Sequence, residues 1–405
     1  MAERAEVAII GGGIMGVSLA HALTRLGVRD VVVLERGSLA AGASGRSGAL
    51  LRQHYSNVPE ATLAFLSLQT YANWDDVIGG SCGFDKTGLI ATVATRDENS
   101  LNIERMRRNI AMQNGIGIKS RVVTADELFE MQPFTNVDDL DVAAYEPESG
   151  YVDSVAATRS MAEAAARGGA RIVEGCAVTG INVTGDRVTA VETSQGTFEA
   201  ENVVCAAGAW STLLLASIGI DVPVEAQRVQ VAVLTRPLSM PREGSMTYVD
   251  TAGGTFLRNF GPNRTLVGVG GGEFHDVVDP DDYDERCDRT FPDVAIEYLS
   301  RRMPAMRDAS FLHGHAGLYD MTPDTHPIIG HGRGIDGLYL MLGFSGAGFK
   351  KGPAVGKCMA EMIVEGRPWT VDLTPFRLER FDDDNWRLPW SPDEYSFTTD
   401  FGHGF

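Results

Sequence analysis

The chain has 405 residues, of which 44% are hydrophobic and 22% charged, and its formal net charge is −19. That length gives room for two or more domains around ordinary globular cores. The acidic balance argues against nucleic acid and anionic membrane surfaces as partners, because both are polyanions, yet it is compatible with a local basic site for a small anion.

Residues 7–10, Val-Ala-Ile-Ile, read as a buried strand running into Gly11, Gly13 and Gly16, spaced G-x-G-x-x-G. A helical pattern over 14–26 follows and Gly27 closes it; 31–35, Val-Val-Val-Leu-Glu, is then a second strand ending in a carboxylate. Gly11 permits the tight turn, Gly13 lets backbone N–H groups approach a pyrophosphate, and Gly16 lets the helix lie close on the strand. Glu35 follows Gly16 by 19 residues, where a carboxylate can accept hydrogen bonds from an adenosine ribose. Strand, helix, second strand and acid together predict a dinucleotide site, and leave open which dinucleotide.

Residues 36–48 are dense in glycine, alanine and serine, with many free N–H groups and few bulky side chains. This loop ends in Ala49-Leu-Leu-Arg-Gln-His-Tyr55, which places Arg52 and Tyr55 near the cofactor cleft; a surface salt bridge is an equal reading of Arg52 at this point. Helical periodicity covers 60–78, followed by 88–95 and an amphipathic stretch over 98–114. Thr124 and Glu127 have capping-box spacing for a short helix. A connector over 145–153 leads to a helix over 154–167 that ends at Gly168-Gly169. Short strands are expected over 171–173, 178–183, 187–193 and 197–200, with a hairpin turn at Gln195-Gly196. A buried strand over 203–205 then enters Ala206-Ala-Gly-Ala-Trp-Ser211, small residues at a strand's carboxyl end, where open α/β sheets bind ligands. The most apolar stretch, 203–220, contains Gly208, Trp210, Ser211, Thr212 and Ser217 and reads as strand, loop and helix, not as a membrane span.

Strands at 230–234, 255–260 and 265–270, with a turn over 261–263, suggest a second, sheet-rich domain. The acidic run 276–288 lacks EF-hand spacing and reads as a solvated loop, and a helix over 294–302 ends before Pro304. His313 and His315 would share a strand face, but without a third convincing ligand no metal is expected. A strand over 337–342 enters Gly343-Phe-Ser-Gly-Ala-Gly-Phe-Lys-Lys-Gly-Pro353, so a second glycine loop opens a second helix, with Pro353 at a favoured early position and partial positive charge at the N-terminus. Residues 377–405 mix Asp, Trp, Pro and Phe without periodicity and read as a tail laid against the body or a partner chain, so a homo-oligomer is compatible with them. Cys82, Cys176, Cys205, Cys287 and Cys358 are widely spread, which argues against a disulfide framework or zinc site. The first residues enter a strand at once, leaving no room for a signal peptide, so a cytoplasmic protein is expected.

With 11–35, 43–55, 206–211 and 322–350 all in view, the chain resembles the D-amino-acid-oxidase-like flavoprotein superfamily, and within it the sarcosine oxidase, dimethylglycine dehydrogenase and glycine oxidase branch. The resemblance covers about residues 5–370, and its most specific part is Thr-Pro-Asp-Thr-His-Pro-Ile-Ile-Gly paired with Gly-Phe-Ser-Gly-Ala-Gly-Phe-Lys. It implies an α/β fold: a discontinuous FAD-binding Rossmann-like domain over 1–80, 143–220 and 311–370, an antiparallel-sheet (α+β) substrate domain over 81–142 and 221–310, and a C-terminal tail over 371–405. It also implies a flavin site made of Gly11, Gly13, Ile14, Met15, Gly16, Glu35 and Arg36, continued by Ser44, Gly45, Arg46, Ser47, Gly48 and Leu50. Ala207, Gly208 and Trp210 would join it, as would Gly343, Phe344, Ser345, Gly346, Gly348, Phe349 and Lys350.

By the same resemblance, Arg52 matches the arginine that pairs with a substrate carboxylate and Lys350 the lysine that is its second partner. A carboxylate leaving water needs compensating charge, and a guanidinium fork fixes its orientation. The helix opening at 352–355 would aim its dipole at the flavin pyrimidine edge. Relatives that attach flavin covalently use a cysteine where this chain has about Gly317, so noncovalent FAD is expected. A lysine that promotes reaction with oxygen would fall near Leu266, and its absence leaves the acceptor as oxygen or another compound. The implied activity is FAD-dependent oxidation of the C–N bond of a small amino acid, a carboxylate-bearing secondary or N-methylated amine. For a general base, His54, Tyr55 and His315 stand as candidates, each equally readable as orienting or structural. The same clamp would suit a 2-hydroxy acid, for which a histidine base becomes obligatory. A flavin-bearing subunit of a larger electron-transfer complex is the third reading.

Overall fold

The computed structural model describes residues 3–94, 101–242, 245–270 and 276–394. The outer ends of three sequence-read segments, 95 of 88–95, 98–100 of 98–114 and 395–405 of the tail, lie outside the described residues.

Two large sheets divide the chain. The first has the strand order Ile328–His331, Leu338–Leu342, Gly196–Cys205, Glu3–Ile10, Val31–Leu34, Arg171–Val173. All its neighbours along this path are parallel except the pair Ile328–His331 and Leu338–Leu342. Successive residues on a strand face opposite sides, and both sides are covered here. Val7, Ile9, Val31, Val33, Val204 and Met341 meet the helices Ile14–Arg25, Ser154–Arg167 and Gly352–Glu365. Ala8, Ile10, Val32, Leu34, Val203 and Leu340 pack instead under the hairpin Val178–Thr184/Arg187–Thr193 and the short helix Ser211–Ala216. Double burial is why these strands read as unbroken apolar runs in the sequence.

The second sheet has nine strands in the order Asp276–Val277, Glu225–Thr235, Arg264–Val269, Thr255–Asn259, Thr247–Asp250, Leu89–Thr92, Val142–Glu146, Arg121–Thr124. Ser310–Met321 pairs along Glu225–Thr235. This corrects two expected domain boundaries. Residues 142–146 and 310–321 hydrogen-bond into the second sheet, so its share extends past 142 at one boundary and past 310 at the other. The expected strands 197–200 and 203–205 are one ten-residue strand, Gly196–Cys205, antiparallel to the hairpin at its start and parallel to Glu3–Ile10 through its length. The capping box at Thr124 and the helix Ser154–Arg167 form as read. The loop 36–48 contains a short helix, Ala43–Arg46. From 371 to 394 the chain lies on the body: Arg380 forks onto Asp324 at 2.7 and 3.0 Å, and the Trp390 ring stacks on His326 with centroids 3.9 Å apart.

Candidate active site

The parallel strands end at a cavity of about 750 Å³ between the two sheets, within the size range of cofactor sites. The N-terminal glycine loop forms one end. A Cβ on Gly16 would lie 2.0 Å from the Gly11 carbonyl oxygen, so only glycine lets the helix start this close to the strand. A Cβ on Gly13 would meet only the Ser44 side chain, at 3.0 Å, and would project beside the cavity that Gly13 lines. Gly13 offers the helix Ile14–Arg25 no side-chain cap, the Ile14 N–H donates to Ser44 Oγ at 2.9 Å, and the partially positive end of the helix lies at the cavity that Gly13, Ile14 and Met15 line. Glu35 accepts hydrogen bonds from the N–H groups of Gly12 (2.7 Å) and Gly37 (2.8 Å), which fixes its carboxylate at the cavity edge. A helix N-terminus at the cavity, a glycine beside it and a held carboxylate fit the ADP half of FAD.

Gly11, Gly13, Ile14, Met15, Glu35, Arg36, Ser44, Arg46, Ser47, Gly48, Ala207, Gly208 and Trp210 line this cavity together with His315, Phe344, Gly346, Gly348 and Phe349. Gly16, Gly45 and Gly343 line neither cavity; each instead permits a close approach, to Gly11, Ala40 and Thr322 respectively. The acidic run is more than solvated loop: Pro280, Asp281, Tyr283 and Glu285 line the cavity. Asp281 accepts from Arg36 (2.6 Å) and from Trp210 Nε1 (2.8 Å), the Arg36 guanidinium lies 4.1 Å from the Trp210 ring, and Glu285 pairs with Arg46 at 2.7 Å. Neither a cysteine nor a lysine lines this larger cavity among the described residues. Gly317 lines it, and Leu266 packs in the apolar cluster with Val231 and Val233.

A second, small cavity of about 80 Å³ adjoins the first, sharing Ser47, Gly48, Phe256, Tyr319, Gly346 and Phe349 with it. Ala49, Leu50, Arg52, Val249, Ser345, Ala347 and Lys350 complete its wall. The fold therefore brings Arg52 and Lys350 to one chamber from opposite ends of the sequence. The Arg52 guanidinium lies 4.4 Å from the Tyr55 ring centroid, and Lys351 approaches the same ring at 4.2 Å. Burial, then Arg52 and Lys351, hold the Lys350 amine well below the ordinary lysine range.

Behind this chamber lies a buried charge network. Lys351 pairs with Glu60; Glu60 pairs with His326 Nδ1 at 2.8 Å and accepts from Asn57 at 2.9 Å; His326 Nε2 meets Glu394 at 3.1 Å. Burial alone would raise the Glu60 carboxyl, but Lys351 and His326 outweigh it and hold it well below its usual range. Burial likewise opposes a charged His326, yet Glu60 and Glu394 push its pKa up to about 9.

The structure removes two of the three candidate bases from the site. His54 is fully buried, lines neither cavity, and its Nδ1 lies 3.2 Å from Gln113; burial and then Arg52 push it down to about 3. Tyr55 lies beneath Arg52 and lines neither cavity. Both follow the two-residue strand Leu50–Leu51 into the packing beneath the chamber, where Gln113 also bonds the Tyr55 carbonyl. His315 does line the larger cavity, with its Nε2 3.3 Å from the Arg46 carbonyl oxygen, and burial lowers it. Sequence reading passed over Glu60, His326 and Lys351. The doubled lysine ahead of a helix N-terminus was the available signal, since a cation there opposes the dipole and calls for a nearby acid. Phe256, Tyr319 and Asp281 were missed because nothing in their local sequence marks which strand face meets the cofactor.

A family profile described as FAD dependent oxidoreductase matches residues 6–362. Among curated proteins, the mitochondrial pyruvate dehydrogenase phosphatase regulatory subunit of Mus musculus is 30% identical over 92% of this chain and 43% of its own length. The mitochondrial sarcosine dehydrogenase of Mus musculus is 28% identical over 97% of this chain and 43% of its own. The chain thus spans less than half the length of these two relatives. Among solved structures, L-proline dehydrogenase from P.horikoshii superposes with a TM-score of 0.84 at 27% identity, covering 94% of this chain and 99% of that one.

Proposed function

The chain belongs to the FAD-dependent oxidoreductase family, and from that premise we propose that it oxidises the C–N bond of a small amino acid whose nitrogen is secondary or N-methylated. The observation that carries this reading is the convergence of Arg52 and Lys350 on a chamber of about 80 Å³ adjoining the cofactor cavity. A chamber of that size with a guanidinium in its wall suits a compact carboxylate. The names of two relatives, sarcosine dehydrogenase and L-proline dehydrogenase, point to amino acids with secondary nitrogen.

When bound, FAD supplies the hydride acceptor; the protein's part is placement and proton control. Arg52 exchanges the water lost by the carboxylate for a charge-assisted pair of hydrogen bonds. Tyr55 backs the guanidinium and keeps it directed at the chamber. Holding the substrate in one orientation lowers the barrier by removing the entropy of alignment. The chamber wall is otherwise small or apolar, with Gly48, Ala49, Leu50, Val249, Phe256 and Gly346, which limits competing water. Hydrolysis of the resulting imine gives the amine and an aldehyde or oxo acid.

A 2-hydroxy acid is the poorer substrate for this site. Its hydroxyl is a far weaker acid than an ammonium group and would call for a histidine base at the chamber, and neither His54 nor His315 lines that cavity. A relay or assembly role is the second reading, favoured by the similarity to a regulatory subunit. Anaerobic mixing of the FAD-bound protein with sarcosine, other N-methyl amino acids, L-proline, D-amino acids and hydroxy acids separates these readings. Bleaching of the flavin by a secondary amino acid is expected, with Arg52→Ala weakening its binding about a hundredfold. No bleaching by any carboxylate-bearing compound would overturn the catalytic reading and leave the relay role.

A further inference from the structure

Lys350 and Lys351 are consecutive, but their surroundings differ. Lys351 is fully buried and paired with Glu60. Lys350 lines the small chamber, whose wall contains no carboxylate, and no ion pair or hydrogen bond holds its amine among the described residues. The nearest acid by electrostatic influence, Glu60, is already engaged by Lys351, His326 and Asn57.

We propose that Lys350 is the base that takes the proton from the substrate's ammonium group, a role resting on the amino-acid reading above. An ammonium nitrogen has no lone pair to assist loss of hydride from its neighbouring carbon, so one N–H bond must break first. The proton moves to the lone pair on Lys350 Nζ, and the substrate nitrogen keeps the bonding pair. That step consumes no oxidant.

The geometry makes this exchange self-timing. In the free chamber, an ammonium at Lys350 would be buried and opposed by the charges of Arg52 and Lys351, with only Glu60, already engaged by Lys351, acting in its favour. A carboxylate seated on Arg52 neutralises the guanidinium and stabilises an ammonium beside it. The substrate therefore brings both the anion that makes Lys350 basic and the proton that Lys350 accepts.

The other groups facing Lys350 do not compete. Arg52 and Tyr55 come from the segment after Leu50–Leu51, and Lys351 from its own turn. Glu60 and Tyr71 come from the helix Val58–Ala72, and Tyr319 from the strand Ser310–Met321 across the chamber. Burial raises the Tyr319 hydroxyl to about 12 and Tyr71 well above its ordinary value, so neither phenol serves as a base near neutral pH. Tyr71 also donates its proton to the Phe349 carbonyl at 2.8 Å.

Propionate, a carboxylate without the amine, tests the linkage in the FAD-bound protein. Its binding should draw one proton from solvent, so its dissociation constant, read from the flavin absorbance, should rise with pH by up to about tenfold per pH unit. Lys350→Met should flatten that slope. Binding of propionate that is independent of pH in the unaltered protein overturns the role of Lys350 and leaves the amino-acid reading standing. With an amino acid that bleaches the flavin, Lys350→Arg keeps the cation and loses the base. Its anaerobic reduction rate should fall at least about a hundredfold near pH 7.5 with little change in substrate affinity, and recover as rising pH deprotonates the substrate amine in solution. An undiminished rate in Lys350→Arg would equally reject the proposal. Failure of every amino acid to bleach the flavin sinks it together with the reading it rests on.

Discussion

The two ends of the long cavity are held by different physics. Around Gly11, Gly13 and Glu35 the structure is backbone held close to backbone, with one carboxylate tying two N–H groups. Around Arg52 and Lys350 it is charge held out of water, with Lys351, Glu60 and His326 buried in series behind a tyrosine ring. The first arrangement tolerates any sequence that keeps its glycines and its acid. The second works only as a balanced set, because each buried ion is stabilised by the next.

Breaking that balance should have the largest effect. Glu60→Gln leaves Lys351 and His326 buried without their shared counter-ion, and a loss of about 3–5 kcal/mol in unfolding free energy is expected by urea titration. The pH profile identifies the cause. His326 has a folded pKa of about 9 against an ordinary 6.5, so its contribution is fully present below 6.5 and lost as pH rises through about 9. Glu60 is depressed, so its contribution is present above its ordinary 4.5 and lost as pH falls toward its folded value. Stability of the unaltered protein should therefore decline between pH 6.5 and 9, and Glu60→Gln should remove most of the decline. Equal slopes in the two proteins would show that the network does not couple to folding.

At the other end, two glycines separate fold from cofactor. Gly16→Ala places a methyl group 2.0 Å from a backbone oxygen, which cannot yield without lifting the helix from its strand. About 1–3 kcal/mol of destabilisation and loss of FAD are both expected. Gly13→Ala meets only the Ser44 side chain at 3.0 Å and should leave the melting temperature of the FAD-free protein within a few degrees while weakening FAD binding. If both variants bind FAD normally, the glycine loop is not the cofactor's anchor.

The same contrast explains what the sequence discloses. The backbone-held end is legible because its requirements are local: a glycine at a fixed offset, an apolar run, an acid one strand later. Buried strands such as Val31–Leu34 and the capping box at Thr124 are legible for the same reason. The end of the glycine-rich loop already sets Arg52 near the cleft, but its role and that of Lys350 come only through a resemblance, since nothing local distinguishes an arginine in a chamber wall from one in a surface pair. The network of Glu60, His326, Lys351 and Glu394 joins four separate segments, so no spacing rule could assemble it. His54 and Tyr55 failed as site candidates for a related reason. Proximity in sequence to Arg52 does not give a shared direction once the strand Leu50–Leu51 has ended.

The smallest expected effect lies where the two ends' rules mix. The acidic segment crosses the larger cavity's edge and is tied to its far wall by charge, through Asp281 to Arg36 and Trp210 and through Glu285 to Arg46. Unlike the buried set, these pairs are open to water: the Arg36 and Asp281 side chains are 49% and 55% exposed. Exposed pairs contribute little and are screened by salt. Asp281→Asn should therefore speed FAD release only about two- to five-fold at low ionic strength. The difference from the unaltered protein should close in about 1 M salt, where the screening length falls to roughly 3 Å. Release followed by the fluorescence of freed flavin measures both. A variant that releases FAD at the unaltered rate in low salt would show that the acidic segment only lies beside the cofactor. A salt-sensitive difference would mean that the backbone-held end fixes where FAD sits, while a weak, exposed charge pair sets how long it stays.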